Sequence, residues 1–373
     1  MDIRMGLMMR TPKYGKYLSI LLAGCITAFL TPVRVYGQID TLEERTVPDT
    51  VSIAAVGDIM LGSNFPSPEF LPPDDGRSLL SPVVEYLKNT DVTFGNCEGT
   101  FLDKGGTVKT VHDPKNLYAF RQPRRYAHYL AEAGFTLLNL ANNHYGDFGD
   151  VGRVSTMLML DSLGLHYAGV TDRQYVIFER RGVTFGFCGF APNTGTVDIR
   201  NIPHARQIVS MLDTVCDIVI VSMHGGGEGE RHAHVKNRTE TYLGEDRGNV
   251  VQFAHAVIDA GADIVLGHGP HIPRAVELYR DRFIAYSLGN FCTYGQFNLR
   301  GKCGLAPILR LHLDGAGTFL NGQIISCKQF GEGGPVPDPD GTAVLEIRDL
   351  TLSDFPQTPL MIDTTGVLTR KGK

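Results

Sequence analysis

Short apolar runs alternate with helical patterns along most of this chain, and this alternation restricts the fold more than any other feature of the sequence. The apolar runs have strand length and few polar positions, as is typical of strands buried on both faces. They lie at residues 51–57, 91–95, 135–140, 183–189, 217–223 and 263–267. Helical patterns occur at residues 78–88, 123–133, 151–163, 203–213 and 247–260. Strands alternating with helices predict a layered α/β fold with a largely parallel sheet.

The pattern changes after residue 305. Three further strands are predicted at residues 305–313, 323–330 and 343–348, around a loop at residues 331–340 that is rich in glycine, proline and aspartate. The change leads us to predict a main domain at residues 51–304 and a C-terminal β extension of the same domain at residues 305–373.

Composition excludes one class of partner. The chain has 373 residues, of which 43% are hydrophobic, and this is enough to bury a sizeable core. Its formal net charge is -5, and its basic residues form only short runs. Because nucleic-acid binding requires a clustered positive surface, no nucleic-acid partner is expected.

The first 37 residues have the pattern of an export signal. A basic start leads into an apolar stretch at residues 17–30, and small residues at 35–37 offer a cleavage site. The basic residues are Arg4, Arg10, Lys13 and Lys16. Cleavage near Gly37 would leave a polar linker at residues 38–50 and predicts an exported, periplasmic protein.

Two other interpretations of this segment stay open. One is an uncleaved membrane anchor, although the apolar stretch is shorter than the ~20 residues that a spanning helix needs. The other is a lipoprotein, because residues 22–25 resemble a bacterial lipobox and would make Cys25 a lipidated N-terminus at the cell envelope. Against lipidation, the residues directly after Cys25 are mostly apolar.

The cysteines do not form a recognisable framework. Six remain after residue 37, and no two of them have CxxC spacing. Cys188 and Cys216 lie in apolar runs, which favours buried free thiols. Cys292 and Cys303 form the one pair that merits a test for a disulfide.

Polar side chains follow five of the predicted strands at the point where each strand ends. In an open α/β sheet this edge is where ligands bind. The residues are Asp58, then Asn96 and Glu98, then Asn142, Asn143 and His144, then His224, and finally His268 and His271. The sequence therefore predicts carboxylates, amide oxygens and imidazoles at one rim.

Each of these elements also has an ordinary structural interpretation. Asp58 is placed to cap a turn, and Glu98 before Gly99 is placed to be a solvated loop carboxylate. The run at residues 142–144 fits a turn, and His224 precedes a flexible glycine run. The convergence of all five strand ends favours a metal site over five separate coincidences.

The types of donor indicate the chemistry. Carboxylate, amide oxygen and imidazole without thiolate suit Mn²⁺, Fe²⁺ or Zn²⁺, and the donors outnumber the three or four protein ligands of one catalytic zinc. Two ions about 3.5–4 Å apart, bridged by Glu98 or Asp58, would generate a hydroxide nucleophile and clamp the oxygens of a phosphoryl displacement. Asn143 would offer a neutral oxygen, and His144 would act as general acid on the leaving group.

Six motifs in this order resemble a known family. They are Gly57-Asp58-Ile-Met60, Asn96-Cys-Glu98-Gly99, Asn139-Leu-Ala-Asn-Asn-His144 with Asp147 and Gly149, Val221-Ser-Met-His224, Gly261-Ala-Asp263-Ile-Val-Leu-Gly-His268-Gly-Pro-His271, and Tyr286-Ser-Leu-Gly-Asn290-Phe291. Over roughly residues 51–345 the chain resembles the CapA, or poly-γ-glutamate capsule biosynthesis, family of the calcineurin-like metallophosphoesterase superfamily.

This resemblance implies a fold and a ligand set. The fold is the four-layer αββα sandwich of the metallophosphoesterase type, with two packed mixed sheets instead of one doubly wound sheet. His144 would be the catalytic acid. The candidate metal ligands are Asp58, Glu98, Asn143, His224, His268 and His271.

The chain departs from the pattern at three places. Met60 stands where the superfamily usually has a histidine, and the Asn96/Glu98 pair replaces the usual aspartate of the second motif. One metal site would then be weak or absent. After His224 the sequence differs from the family, and His232 and His234 are either an extra ligand pair or solvated side chains.

The resemblance implies work on an anionic extracellular polymer, beside a membrane-bound synthesis complex, whereas the fold implies hydrolysis of a phosphoester substrate. Three functions stay open: a capsule protein with a di-metal site, a polymer-binding or assembly subunit without catalysis, and a periplasmic phosphodiesterase or phosphatase unrelated to capsule. Five basic residues between the second and third strands would either meet an anionic substrate or be ordinary surface charges. They are Lys104, Lys109, Arg121, Arg124 and Arg125.

Overall fold

Two β-sheets packed face to face lie at the centre of the fold. The computed structural model describes residues 48–111, 115 and 117–372. The predicted export signal, the lipobox at residues 22–25 and most of the predicted linker lie outside these described residues.

In chain order the strands are β1 (Val51–Met60), β2 (Val92–Cys97), β3 (Thr100–Phe101), β4 (Arg121–Gln122), β5 (Leu137–Asn139), β6 (His166–Ala168), β7 (Tyr175–Arg180), β8 (Val183–Phe190), β9 (Ile218–His224), β10 (Thr241–Tyr242), β11 (Glu245–Asp246), β12 (Ile264–His268), β13 (Val276–Tyr279), β14 (Arg282–Ala285), β15 (Asn290–Thr293), β16 (Ile308–Leu313), β17 (Phe319–Ile325), β18 (Cys327–Lys328), β19 (Val336–Pro337), β20 (Leu360–Ile362) and β21 (Val367–Arg370). The α-helices are α1 (Val84–Leu87), α2 (Tyr126–Ala133), α3 (Gly149–Ser162), α4 (Ile202–Asp213), α5 (Val250–Ile258) and α6 (Thr342–Asp354).

The larger sheet has the strand order β20-β21-β17-β16-β1-β2-β5-β6, and β15 also pairs with β1. Strands β1, β2, β5 and β6 are parallel to one another. Strand β16 pairs with β1 antiparallel and continues the sheet into the C-terminal segment. The parallel strands end at one edge, as the order of apolar runs predicts.

The second sheet has the strand order β13-β14-β12-β9-β8-β7. Its inner strands β8, β9, β12 and β14 are parallel, and the edge strands β7 and β13 pair antiparallel. Both sheets are therefore mixed, as the resemblance implies.

The main core lies between the sheets. Phe94 of the larger sheet and Phe187 of the second sheet are fully buried, with ring centroids 5.7 Å apart. Burying a side chain of this size stabilises the fold by roughly 1.5–3 kcal/mol, so a core built of such residues is enough to hold two sheets together.

Helices cover the two outer faces. Leu130 of α2 and Leu160 of α3 are buried against the larger sheet, while Val209 of α4 and Phe253 of α5 are buried against the second sheet. The order of layers is therefore helix, sheet, sheet, helix. This confirms the predicted four-layer αββα sandwich.

The C-terminal segment corrects one predicted element. Residues 343–348 are predicted to form a strand, but they lie in helix α6. Its buried residues recur with helical spacing, and the Asp338 carboxylate accepts a 2.9 Å hydrogen bond from the backbone N–H of Thr342 at the start of the helix. The buried positions are Ala343, Val344, Ile347, Leu350 and Thr351. The strand prediction counted apolar residues and missed their period of 3.6.

Two further expectations differ from the structure. The helix predicted at residues 78–88 is only a short 3-10 turn at Ser81–Val83 followed by α1, because Pro82 can stand only at the beginning of a helix. Cys292 and Cys303 are both free and buried, so no disulfide joins them. The division between residues 304 and 305 stays a prediction.

The C-terminal segment contacts both sheets. Strand β21 pairs with β17 of the larger sheet. On the second sheet, the Thr351 and Thr358 hydroxyls accept 3.0 Å hydrogen bonds from the backbone N–H groups of Val276 and Leu278. These bonds satisfy donors that edge strand β13 would otherwise expose.

One backbone segment, residues 286–290, joins the two sheets at the edge where the parallel strands end. The N–H of Asp58 on β1 donates to the carbonyl of Gly289 at 2.9 Å. The N–H of Leu288 donates to the carbonyl of Gly267 on β12 at 3.0 Å. The segment is therefore hydrogen-bonded to one strand of each sheet.

Two glycines make this approach sterically allowed. A Cβ atom on Gly57 would lie 1.9 Å from the carbonyl oxygen of Gly289. A Cβ atom on Gly267 would lie 2.3 Å from the carbonyl oxygen of Tyr286. Both distances fall inside van der Waals contact, so neither position accepts a side chain without displacing backbone.

We predict that Gly57→Ala lowers the free energy of unfolding by about 2 kcal/mol or more, because the backbone it would displace has no room to move. Urea unfolding followed by circular dichroism measures the change. Gly146→Ala is the control, since its Cβ would meet only the end of the Arg153 side chain, at 3.1 Å. Equal unfolding midpoints for the two variants would contradict the steric argument.

Candidate metal centre

The predicted site residues come from both sheets and meet at one edge. Asp58 lies on β1, and Glu98 follows β2 directly. Asn143 and His144 follow β5. His224 and His268 are the last residues of the adjacent strands β9 and β12, where they are paired in register, and His271 follows β12.

Three of these side chains form the tightest group. One ligand atom from each of Asp58, Glu98 and His271 lies within 4.8 Å of the other two. His271 Nδ1 is 2.9 Å from Asp58 Oδ2, and His271 Nε2 is 3.7 Å from Glu98 Oε1. A group of carboxylates and imidazole at this spacing is able to hold a divalent ion.

His271 has an unusual backbone conformation. Its φ is 58°, in the left-handed region that residues other than glycine rarely adopt. Such a conformation costs of order 1 kcal/mol and persists where the surrounding structure enforces it, often at functional sites. In this conformation the imidazole Nδ1 lies 2.9 Å from Asp58 Oδ2.

The other two histidines line the side that the second sheet provides. His224 and His268 are completely buried. His268 Nδ1 lies 3.4 Å from Asp58 Oδ1, without the alignment of a hydrogen bond. His224 Nε2 lies 3.5 Å from Nη2 of Arg247, and its Nδ1 has no partner.

His144 stands on the opposite side of Glu98. Its Nδ1 lies 2.8 Å from Oδ2 of Asp147, and its Nε2 lies 3.9 Å from Oε1 of Glu98. The Phe120 ring stacks on the imidazole at 4.2 Å. An aspartate on Nδ1 and an aromatic ring on one face fix the orientation of His144.

Several supporting residues were not predicted to be ligands or catalytic groups, although Asn96 and Asn142 were predicted to lie at the rim. Asn96 donates to Asp58 Oδ1 at 2.8 Å and accepts from the side-chain amides of Asn139 and Asn142, so it orients a ligand instead of facing the centre. Asn290 Oδ1 lies 3.1 Å from His271 Nδ1. All four asparagines lie in the motifs quoted above, and those motifs were the signal that the sequence offered.

Glu228 and Arg247 are a second group that sequence reasoning missed. Glu228 Oε2 lies 4.0 Å from His271 Nε2, and Arg247 Nη2 lies 3.2 Å from Glu228 Oε1. Both come from the segment after His224 where the chain departs from the family pattern, so no motif pointed to them.

The basic residues between the second and third strands are distributed unevenly. Lys109 Nζ lies 2.6 Å from Asp147 Oδ1 and 3.4 Å from His144 Nδ1, so it belongs to the surroundings of the site. Arg121 donates to Asn64, and Arg125 forms a salt bridge with Asp75. These two arginines are engaged elsewhere on the surface.

The structure also bears on two questions that the sequence left open: whether Met60 takes part in the centre, and whether His232 and His234 do. The Met60 sulfur accepts a hydrogen bond from the N–H of Gly62 at 3.3 Å, and it supplies no oxygen or nitrogen donor. His234 is paired with Asp354 at 2.8 Å and is 58% exposed, while His232 Nδ1 lies 3.8 Å from Glu240. His232 and His234 do not join the group formed by Asp58, Glu98 and His271.

Burial and mutual charge shift the protonation of the centre strongly. For Asp58, burial acts to raise the pKa, but His268 and His271 together hold it well below its usual range. For Glu98, burial and the Asp58 charge raise the pKa well above the usual range. For His271, burial opposes the charge of Glu98 and the bond to Asp58, which raise the pKa to about 10.

His224 and His144 are neutral at pH 7. Burial, assisted by the Arg247 charge, lowers the pKa of His224 well below its usual range. Burial also lowers the pKa of His144 to about 4, against the opposing effect of Asp147. Neutral imidazole is the form that binds a metal ion or accepts a proton.

Partnerless buried atoms provide a test of whether a metal fits here. Leaving one such polar atom without a partner costs about 1–3 kcal/mol, and native structures contain few of them. Several belong to the predicted site residues: Glu98 Oε1, Asn143 Oδ1, His224 Nδ1, and both ring nitrogens of His268. Oxygen and neutral nitrogen donors of this kind suit a divalent ion such as Mn²⁺, Fe²⁺ or Zn²⁺.

Comparison with known proteins decides the family. A sequence profile described as bacterial capsule synthesis protein PGA_cap matches residues 52–294. The chain belongs to this family. The matched region contains every residue of the centre described above.

The relatives found by sequence agree with this assignment. The chain is 29% identical over 293 residues to the capsule biosynthesis protein CapA of Bacillus anthracis, covering 73% of this chain and 66% of that protein. It is 29% identical over 304 residues to the PGA biosynthesis protein CapA of Bacillus subtilis, covering 76% and 74%. The match to the first of these relatives thus spans just under two thirds of its length.

Among solved structures, the chain is similar to a putative 5'-nucleotidase from Staphylococcus aureus. The TM-score is 0.42 and the sequence identity is 14%, with 81% of this chain and 58% of that chain covered.

Within the described part of the chain, no helix has both the length and the apolar character needed to cross a bilayer.

We predict that metal binding releases protons from this centre. At pH 7 the pKa of about 10 keeps a proton on His271, and the raised pKa of Glu98 favours its protonated form, so a divalent ion has to displace protons. The affinity for Mn²⁺ should therefore rise between pH 6 and pH 8, by about tenfold per pH unit for each proton released.

Calorimetric titration of Mn²⁺ in two buffers with different ionisation enthalpies counts the protons directly. Glu98→Gln is the matched variant and should release fewer protons, because its amide does not titrate. An affinity that is independent of pH would show that these two groups are not ligands.

Proposed function

We propose that this chain is an exported protein that acts in the synthesis or attachment of a capsule or another polyanionic polymer, and that its centre hydrolyses a phosphoester with the help of divalent metal. Membership of the capsule synthesis family supports the first part. The two CapA relatives, one named for capsule biosynthesis and the other for PGA biosynthesis, support it further.

The group of partnerless buried donors is the observation that carries the catalytic part. A chain that used this edge only for structure would gain stability by pairing or removing those atoms. The candidate ligands are Asp58, Glu98, Asn143, His224, His268 and His271. Because these donors outnumber the ligands of one ion, we propose two ions, of Mn, Fe or Zn.

Bound divalent ions would polarise a phosphoryl oxygen and lower the pKa of water to near neutrality. The protein itself would arrange the participants. Asp58 provides negative charge in a buried place, and Glu98 would add to it once an ion displaces its proton. The Asn96 amide holds Asp58 by a 2.8 Å hydrogen bond. Fixed charges in such a site avoid the reorganisation that water would need.

His144 would move the proton. The Asp147 carboxylate accepts from Nδ1–H at 2.8 Å, so the lone pair lies on Nε2, which faces Glu98. Because the pKa of His144 is lowered to about 4, its resting ring is neutral. Nε2 would therefore accept the proton that the attacking water loses and then donate it to the leaving oxygen.

We propose that the protein works outside the cytoplasm, either free in the periplasm or anchored at the cell envelope through Cys25. This rests on the sequence of residues 1–37 alone. A membrane-bound polymer synthesis complex is the proposed partner, and an anionic polymer or a phosphoester is the proposed substrate.

A polymer-binding subunit without catalysis is the second candidate, and one observation favours it. Met60 stands in place of a histidine and provides no oxygen or nitrogen donor, so one metal position lacks a ligand. A centre with one ion would still bind an anionic group but would lack the second clamp of a phosphoryl displacement.

We predict that the purified protein loaded with Mn²⁺ hydrolyses bis-p-nitrophenyl phosphate, and that two variants lose this activity for different reasons. Glu98→Gln should lose bound metal and turnover together. His144→Ala should keep its metal and lose roughly 10²–10⁴-fold in kcat, because only the proton transfer is removed. Metal content by mass spectrometry and initial rates are measured on the same samples.

His234→Ala is the matched control, since this exposed histidine is paired with Asp354 and lies outside the centre. It should retain both metal and activity. Metal uptake without turnover in the wild type would favour the binding subunit, and wild-type protein that takes up no metal would refute the proposed centre.

A further inference from the structure

Arg247 is a buried cation at the border of the centre. Its side chain is 2% exposed. Its backbone N–H donates to the Glu240 carbonyl at 2.9 Å, and its own carbonyl accepts from Gly226 at 3.0 Å. These bonds hold Arg247 against the loop that follows His224, and the loop and β9 together fix the position of its guanidinium.

The guanidinium lies between His224, a candidate ligand, and Glu228. Its Nη2 is 3.5 Å from His224 Nε2 and 3.2 Å from Glu228 Oε1. The other oxygen of Glu228 is 4.0 Å from His271 Nε2. Nη1 lies 3.7 Å from the exposed Glu245, and Nε is buried without a hydrogen-bond partner. The buried guanidinium therefore has a donor that is free to bind a further acceptor.

The contact with His224 conflicts with metal binding by that residue. Arginine only donates, so His224 Nε2 has to accept, and the ring proton is then on Nδ1. A metal bound at Nε2 would take the same lone pair, whereas a metal bound at Nδ1 would place a proton on Nε2, facing the arginine. In either case the contact between Nη2 and Nε2 ends when His224 becomes a ligand.

We propose that Arg247 is the anion-binding residue of the centre: once His224 binds metal, the guanidinium donors next to it receive a charged oxygen of the substrate, and Glu228 holds the guanidinium in place. A planar guanidinium matches a phosphate or carboxylate through paired hydrogen bonds. The substrate class this favours carries an anionic oxygen beside the reacting group. The inference rests on the proposed metal centre and adds a residue that no motif indicates.

A purely structural role for Arg247 makes a different prediction. If it served only to link the loop to β9, its loss would weaken folding and metal binding together. If it binds the substrate anion, its loss leaves Mn²⁺ binding unchanged or slightly tighter, because a competing cation is gone. A structural role therefore predicts weaker binding of Mn²⁺, whereas an anion-binding role predicts weaker binding of the anion alone.

The experiment measures both affinities in the full chain by calorimetry: Mn²⁺ alone into metal-free protein, and then inorganic phosphate into Mn²⁺-loaded protein. The variants are Arg247→Met, which keeps length without charge, and Arg247→Lys, which keeps charge without the planar fork. Glu245→Gln is the control, because it removes an exposed partner of the same guanidinium. Circular dichroism confirms that each variant is folded.

Arg247→Met should bind phosphate at least tenfold more weakly than the wild type, with Mn²⁺ affinity unchanged within about threefold. Arg247→Lys should fall between them, Glu245→Gln should match the wild type, and acetate as a second probe reports whether a carboxylate is accepted. Three outcomes would contradict this. If Arg247→Met and the wild type bind phosphate with the same affinity, the inference is wrong but the metal centre stands.

If both Arg247 variants lose Mn²⁺ binding as well, Arg247 has a structural role and the inference is also wrong. Wild-type protein that binds no Mn²⁺ removes both the inference and the proposed centre, and the first titration alone reports that result.

Discussion

The candidate centre depends on one backbone segment, residues 286–290, that joins the two sheets by hydrogen bonds. Neither sheet carries a complete site: Asp58 and Glu98 belong to the larger sheet, whereas His224 and His268 belong to the second sheet. Residues 286–290 are hydrogen-bonded to one strand of each, and this is possible only because side chains are absent at Gly57 and Gly267. The distance between the two half-sites is therefore determined by backbone contact, which is stiffer than contact between side chains. A metal centre requires positions of that accuracy.

Burial determines the protonation states of the residues in this centre. Two carboxylates and several imidazoles out of contact with water cannot all take their usual charge states, and so protons are retained on some groups and excluded from others. The arrangement lowers stability, because partnerless polar atoms are left in the interior. A divalent ion would replace the proton that burial and the Asp58 charge favour on Glu98, and it would satisfy the free nitrogens at the same time. Binding and stability should consequently be coupled, as in other proteins whose ligands are poorly paired without their ion.

The sequence predicts the site residues at the strand ends better than those in the neighbouring loops. Asp58, Glu98, His224 and His268 were predictable because a strand end has a known place in a parallel sheet. Arg247 and Glu228 come from a loop whose path depends on its own packing, so spacing alone does not locate them. Helix α6 was mistaken for a strand because its apolar residues were counted without their period.

The C-terminal segment sets an order of events for the whole chain. Strand β21 completes the larger sheet, while Thr351 and Thr358 satisfy donors of the edge strand of the second sheet. These residues come after strands β13 and β17 along the chain, so they are synthesised later than the edges that they cover. Until they arrive, both sheets have open edges, and open edges are where chains associate wrongly. Removing them would expose one edge of each sheet and favour aggregation, although every residue of the centre would still be present.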